Sequence, residues 1–148
     1  MEQAGQANSE MQAQAATAIR SEDRDACVRV VNSTRNTEVG SRVEVAASSA
    51  KRTKGLLGRK SLDRGEGMWI VPCESVHTFF MRFPLDLIYL DRKHRVKKVR
   101  KGVPPWRVSL CLSAHSVLEF PSGTIRDSQT EVGDSVEIVP VAPENNTV

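Results

Sequence analysis

The sequence predicts an α+β domain that is mainly β: a curled antiparallel sheet tending toward a half-open barrel, with two short helices. Three observations carry this. The apolar runs have the length of strands, not of helices; the stretches between them are hairpin-length and hold Gly, Pro, Asn or Asp; and only two places carry helix-capping signals. No internal repeat points to a solenoid.

Taken in order, Cys27 to Val31 is a short β-branched strand ended by the polar turn Asn32 to Asn36. Arg42 to Ala46 alternates polar and apolar, which predicts a half-buried partner strand and an opening hairpin. Ser48 or Ser49 then caps a helix over Ala50 to Leu57, with basic residues in its last turn and Gly58 placed for a left-handed cap. Gly65-Glu66-Gly67 reads as a turn and Met68 to Val71 as a strand stopped by Pro72. Val76 to Met81 is again strand-like, and Leu85 to Leu90 follows Pro84 as a strand with Leu85, Leu87 and Tyr89 on one face and Asp86, Ile88 and Leu90 on the other. Asp91 to Arg95 turns into a strand over Val96 to Arg100. A further strand runs from Ser116 to Phe120, Thr124 caps a helix of one or two turns through about Ser128, and a last strand covers Ser135 to Val139.

The 148 residues, 39% of them hydrophobic, suffice for one core. Residues 1–26 lack large apolar side chains and read as a disordered polar tail; residues 27–140 form the domain, and 141–148 are expected to fray. No stretch reaches the roughly 18 to 20 apolar residues of a membrane span, and the start lacks the basic and apolar runs of a signal peptide, so a soluble, cytoplasmic protein is expected. Cys27, Cys73 and Cys111 cannot all pair within one chain, which agrees with a reducing compartment.

Formal net charge is +3, but the tail carries five acids against Arg20 and Arg24, leaving +6 on residues 27–148. Seven of the ten residues from Arg92 to Lys101 are Lys or Arg. Such a run could meet phosphates, yet no aromatic interrupts it, and lysines on an exposed edge strand also block strand-to-strand aggregation. The edge strand is the preferred reading, and nucleic-acid binding an alternative.

The densest chemistry lies between Cys73 and Asp86, where a thiol (Cys73), an imidazole (His77), a guanidinium (Arg82) and a carboxylate (Asp86) are interleaved with bulky apolar residues. Four readings compete. Cys73 activated by His77 would make a nucleophile. Cys73 and His77 with Cys111 or His115 would make a metal set, although Cys-x3-His is a weak spacing. Arg82 and Asp86 would form a buried ion pair, since a carboxylate on an apolar face needs a partner. Finally, the segment lines a pocket for a small ligand or peptide. In that reading Cys73, His77, Arg82 and Glu119 are polar anchors and Trp69 and Met81, with Met68 and Phe79, are walls. The binding module is preferred, with the Arg82–Asp86 pair as its structural neighbour; no catalytic residue, resident metal or cofactor is assigned. His94 reads as a solvated turn residue.

Several blocks in fixed order add a resemblance. Gly55-Leu56-Leu57-Gly58-Arg59-Lys60-Ser61-Leu62, Gly65-Glu66-Gly67-Met68, Pro72-Cys73 with His77-Thr78-Phe79, Met81 to Asp86, Leu90-Asp91, Pro105-Trp106, Val117 to Thr124 and Gly133-Asp134 resemble the domain-of-unknown-function 192 family from about Cys27 to Val139. The resemblance implies a compact α/β domain of bacteria and archaea with no assigned molecular function, so it transfers no catalytic residue.

Overall fold

The computed structural model describes residues 26–141. Apart from Ala26 and Val141, the expected tail and the expected frayed end lie outside the described residues. In chain order the elements are β1 (Cys27–Asn32), β2 (Thr37–Ala46), α1 (Ser49–Lys54), β3 (Glu66–Ile70), β4 (Ser75–His77) and β5 (Leu85–Leu90). They continue with β6 (Val96–Val103), β7 (Val108–Leu110), β8 (Ser116–Pro121), α2 (Thr124–Ser128) and β9 (Val136–Pro140). Seven strands form one sheet in the order β6-β5-β8-β3-β2-β1-β9, and β4 pairs with β7 in a separate ribbon.

The sheet curls until its two terminal strands touch. Arg95 and Ser135 form a single bridge between the start of β6 and the start of β9, where Val96 N–H donates to Asp134 O at 2.9 Å and Val136 N–H to His94 O at 3.0 Å. Elsewhere the terminal strands stay apart, so the mainly β half-barrel expected from the sequence is the observed fold. One pair departs from the antiparallel pattern: β2 and β3 run parallel, joined by a crossover that contains α1.

All six residues of β5 are buried because both faces of the sheet are covered. Ile88 and Leu90 join Val28, Val43, Leu118 and Phe120 inside the curl, whereas Leu85, Leu87 and Tyr89 pack outside it with Ala46, Leu56, Met68, Ile70 and Val76, beneath α1 and the ribbon. The inner core is tight enough to dictate two glycines. A Cβ at Gly67 would sit 2.6 Å from the Phe120 ring and 2.7 Å from Glu119 O, and one at Gly40 would sit 2.5 Å from the same ring. Gly67 therefore belongs to a strand, where it makes room for a neighbour, and not to the turn that its sequence suggests.

Two caps differ from the expected ones. Ser48 does cap α1, accepting Lys51 N–H at 3.2 Å, but Gly55, not Gly58, ends the helix, so Leu56 and Leu57 lie in the following turn. Thr124 does not cap α2; its hydroxyl donates to Pro121 O at 2.8 Å and leaves the helix N–H groups to another acceptor. The strand expected over Val76 to Met81 stops at His77, because Thr78 turns the chain: its N–H donates to Arg107 O, its hydroxyl to Pro104 O, and its carbonyl accepts Trp106 N–H.

Candidate ligand pocket

Register decides which side chains meet. Glu119 is the partner of Leu87 on β5 and of Met68 on β3, so the three share the outer face of the sheet. α1, the turn after it and the chain from Cys73 to Met81 cover this face and enclose a cavity of about 70 Å³, lined by Cys73, His77, Met81 and Glu119 with Arg52 and Leu56 opposite. That is space for about two water molecules or a head group of a few atoms.

Glu119 dominates the chemistry. It is 4% exposed, and among the described residues it has no hydrogen-bond or ion-pair partner. Burial alone pushes its carboxyl up to about 7. Near neutral pH it therefore exists both as an acid that donates a hydrogen bond and as a carboxylate that accepts one.

Cys73 Sγ donates to Ser75 O at 3.0 Å, and its main-chain N–H to His115 O at 2.8 Å, which fixes the residue at the cavity wall. Burial raises the thiol, and the charge of Glu119 adds to the rise. An activated nucleophile needs the opposite shift. His77 is exposed at the mouth, its ring stacked on Phe79 with centroids 5.1 Å apart. Among the described residues no three His, Cys, Asp or Glu side chains gather as a metal set would require, so Cys73 and His77 do not converge with Cys111 or His115 on one ion.

Of the pocket residues expected from the sequence, Cys73, His77, Met81 and Glu119 line one cavity; Trp69 and Arg82 do not, and neither do Met68 and Phe79. Trp69 pairs with Leu118 and so faces the inner core, where its ring meets the His94 imidazole edge-on at 5.5 Å. His94 is itself buried, not solvated, because the curl of the sheet folds its turn inward. Arg82 is exposed and does not line the cavity. Nor does Arg82 form the expected ion pair with Asp86: the Asp86 carboxylate instead accepts main-chain N–H groups from Gly102 (2.8 Å), Gly123 (3.2 Å) and Ile125 (2.9 Å), which makes it the cap of α2. Backbone donors satisfy a buried carboxylate as well as a guanidinium does.

Sequence reasoning missed the other wall of the cavity. Arg52 and Leu56 reach it only through the β2–α1–β3 crossover, a long-range relation that no local spacing encodes. The basic last turn of α1 was legible, but it pointed to the helix dipole rather than to a pocket. The basic run does lie on an edge strand, as expected: β6 ends the sheet order, with Lys97, Arg100 and Lys101 exposed.

A mainly β half-barrel with a small acid-floored cavity under its crossover helix is the class of protein that fold and site define. Residues 30–138 match the model of the DUF192 family, described as Uncharacterized ACR, and the chain belongs to that family. A UPF0127 protein of Pyrococcus horikoshii is 32% identical over 114 residues, which cover 73% of this chain and 96% of the relative. One of Thermococcus kodakarensis is 29% identical over 125 residues, 80% of this chain and 78% of the relative. Among solved structures, a protein of unknown function from Novosphingobium aromaticivorans superposes with a TM-score of 0.65 at 26% identity, over 75% of this chain and 83% of that one. A candidate transcription regulator from Sinorhizobium meliloti superposes at 0.68 and 20% identity, over 78% of this chain and 94% of that one, and shares the fold.

Proposed function

We propose that this domain is a binding module whose ligand places a small polar head against Glu119. The observation that carries the reading is the buried Glu119 carboxyl, without a protein partner, at the wall of a cavity that apolar side chains and the Cys73 thiol line together with polar residues of α1 and β4. A buried polar group without a partner is expensive, and a ligand hydroxyl or amide would supply the missing hydrogen bond. Arg52 and Lys54 line the same cavity from α1 and make its rim positive. The ligand class that fits both features is a small carboxylate or phosphate ester with a neutral hydroxyl or amide at its buried end.

The test is thermal shift with a set of hydroxy- and amido-carboxylates, including lactate and N-acetylglycine, run on the parent and on Glu119→Leu. Compounds that raise the melting temperature of the parent alone support the reading. Equal shifts in both proteins would place the binding elsewhere, and no shift from any compound in the set would count against this ligand class.

A further inference from the structure

The ribbon of β4 and β7 shields the outer core with one face and turns the other to solvent. On that outer face Val108 and Leu110 of β7 stand beside Ser75 and His77 of β4, and apolar side chains from the adjoining loops extend the β7 side of it. Phe80 is 72% exposed, Trp106 56%, Val108 59%, Leu110 47% and Leu112 76%. The rings are held together: Phe80 and Trp106 lie 4.7 Å apart, Phe79 and Trp106 5.8 Å, and Val108 and Leu110 continue the stripe along β7. Phe80 and Trp106 both sit at positive φ, 63° and 67°, a conformation that bulky residues rarely adopt. Thr78 fixes both positions, since its carbonyl accepts from Trp106 N–H and from Met81 N–H. The left-handed backbone at two bulky residues carries a local cost, and burial of their exposed rings against a partner would offset it.

Cations flank the stripe along its length. Leu112 shares a shallow hollow with Arg92, Lys93 and Arg95, Lys98 Nζ donates to Leu110 O at 2.7 Å, and Arg107 follows Trp106 directly. From Glu74 to Leu112 the chain has nine Lys and Arg against three acids: Glu74 is exposed, whereas Asp86 caps α2 and Asp91 accepts the N–H groups of Lys93 and Arg95. Aromatic and aliphatic tips surrounded by cations match the interface of an anionic bilayer, where Trp and Phe enter the headgroup boundary and Lys and Arg meet lipid phosphates. A second copy of the chain would bring cations against cations. Single-stranded nucleic acid would find its potential stacking rings packed on one another, and a Val-Leu-Leu row that offers bases little.

We propose that the outer face of the β4–β7 ribbon docks this domain on an anionic membrane surface, with Phe80, Trp106 and Leu112 inserted at the headgroup boundary. The docking is peripheral; among the described residues no helix is long and apolar enough to cross a membrane.

The experiment uses the full chain with vesicles of phosphatidylcholine alone and of phosphatidylcholine mixed with phosphatidylglycerol. Trp69 is buried, so a blue shift of the tryptophan emission on mixing reports Trp106. Binding to the mixed vesicles only, with that blue shift, loss at high salt, and about tenfold weaker binding for the exposed-site variant Leu112→Glu, supports the proposal. A second variant, Val132→Glu, exposed but off the ribbon, should bind like the parent. Absence of vesicle binding, binding that Leu112→Glu leaves unchanged, tight binding of an oligothymidylate in place of vesicles, or concentration-dependent dimerisation lost in Leu112→Glu would each overturn it.

Discussion

The carboxylate of Asp86, near the start of β5, accepts the main-chain N–H of Ile125 at 2.9 Å, so a β5 side chain fixes the first turn of α2. The same carboxylate takes Gly102 N–H from the end of β6 and Gly123 N–H at the helix entry. Asp86→Ala leaves these donors without a partner and is expected to lower unfolding stability by about 3 kcal/mol. Arg82→Ala is expected to stay within about 0.5 kcal/mol of the parent, and the double variant to be additive within about the same margin. Urea unfolding of the three variants checks this. A coupling energy above about 1 kcal/mol would show that Arg82 and Asp86 do pair in solution.

What the sequence disclosed, and what it concealed, follows from which relations are local. Leu85 to Leu90 was legible to its ends because Pro84 and Asp91 bound a run whose alternation separates Leu85, Leu87 and Tyr89 from Asp86, Ile88 and Leu90. Alternation also showed that Asp86 faces apolar company, but it could not show that three main-chain donors from distant turns converge there. The inward face of Trp69 depends on its pairing with Leu118, a register between strands nearly fifty positions apart in the chain. β7 escaped notice because only Ser109 of its three residues is buried, which reverses the usual pattern. Cys73, His77, Met81 and Glu119 stand out in the sequence because each is a polar or soft residue in an apolar context; Arg52 and Leu56, which line the same cavity, do not, because only the parallel crossover brings α1 over the outer face.

Cys73 is expected to be a sluggish thiol. Burial raises it and the charge of Glu119 reinforces this, so alkylation by iodoacetamide near neutral pH should be slower than that of a free cysteine and should accelerate as pH rises past the usual thiol range. Glu119→Gln removes the reinforcing charge and should speed the reaction modestly. Peptide-level mass spectrometry reads the rate at Cys73 separately from those at Cys27 and Cys111. Faster alkylation than free cysteine would revive the nucleophile.

Stability should carry the signature of the buried acid. Burial raises Glu119 from 4.5 to about 7, so between those values the folded chain binds a proton that the unfolded chain releases. The stabilisation by the neutral acid is complete below about 4.5 and is lost as pH rises through about 7. A shift of that size corresponds to on the order of 3 kcal/mol. Glu119→Gln is neutral throughout, so its advantage over the parent should grow by that order across the window and then level off. Burial lowers the His94 imidazole, with the His115 charge adding, and this acts in the other direction below 6.5, but it is common to both proteins and cancels in the difference. Parallel stability curves for variant and parent would mean that Glu119 is not desolvated.

The most direct measurement is the titration of Glu119 itself, followed by the ¹³C shift of its side-chain carboxyl in the labelled chain. A buried carboxyl without a protein partner, facing a cavity of about 70 Å³, predicts a midpoint of about 7 that moves when a ligand occupies the pocket. A midpoint at the ordinary 4.5 would mean that water or a protein cation already satisfies the group, and would contradict the pocket as described.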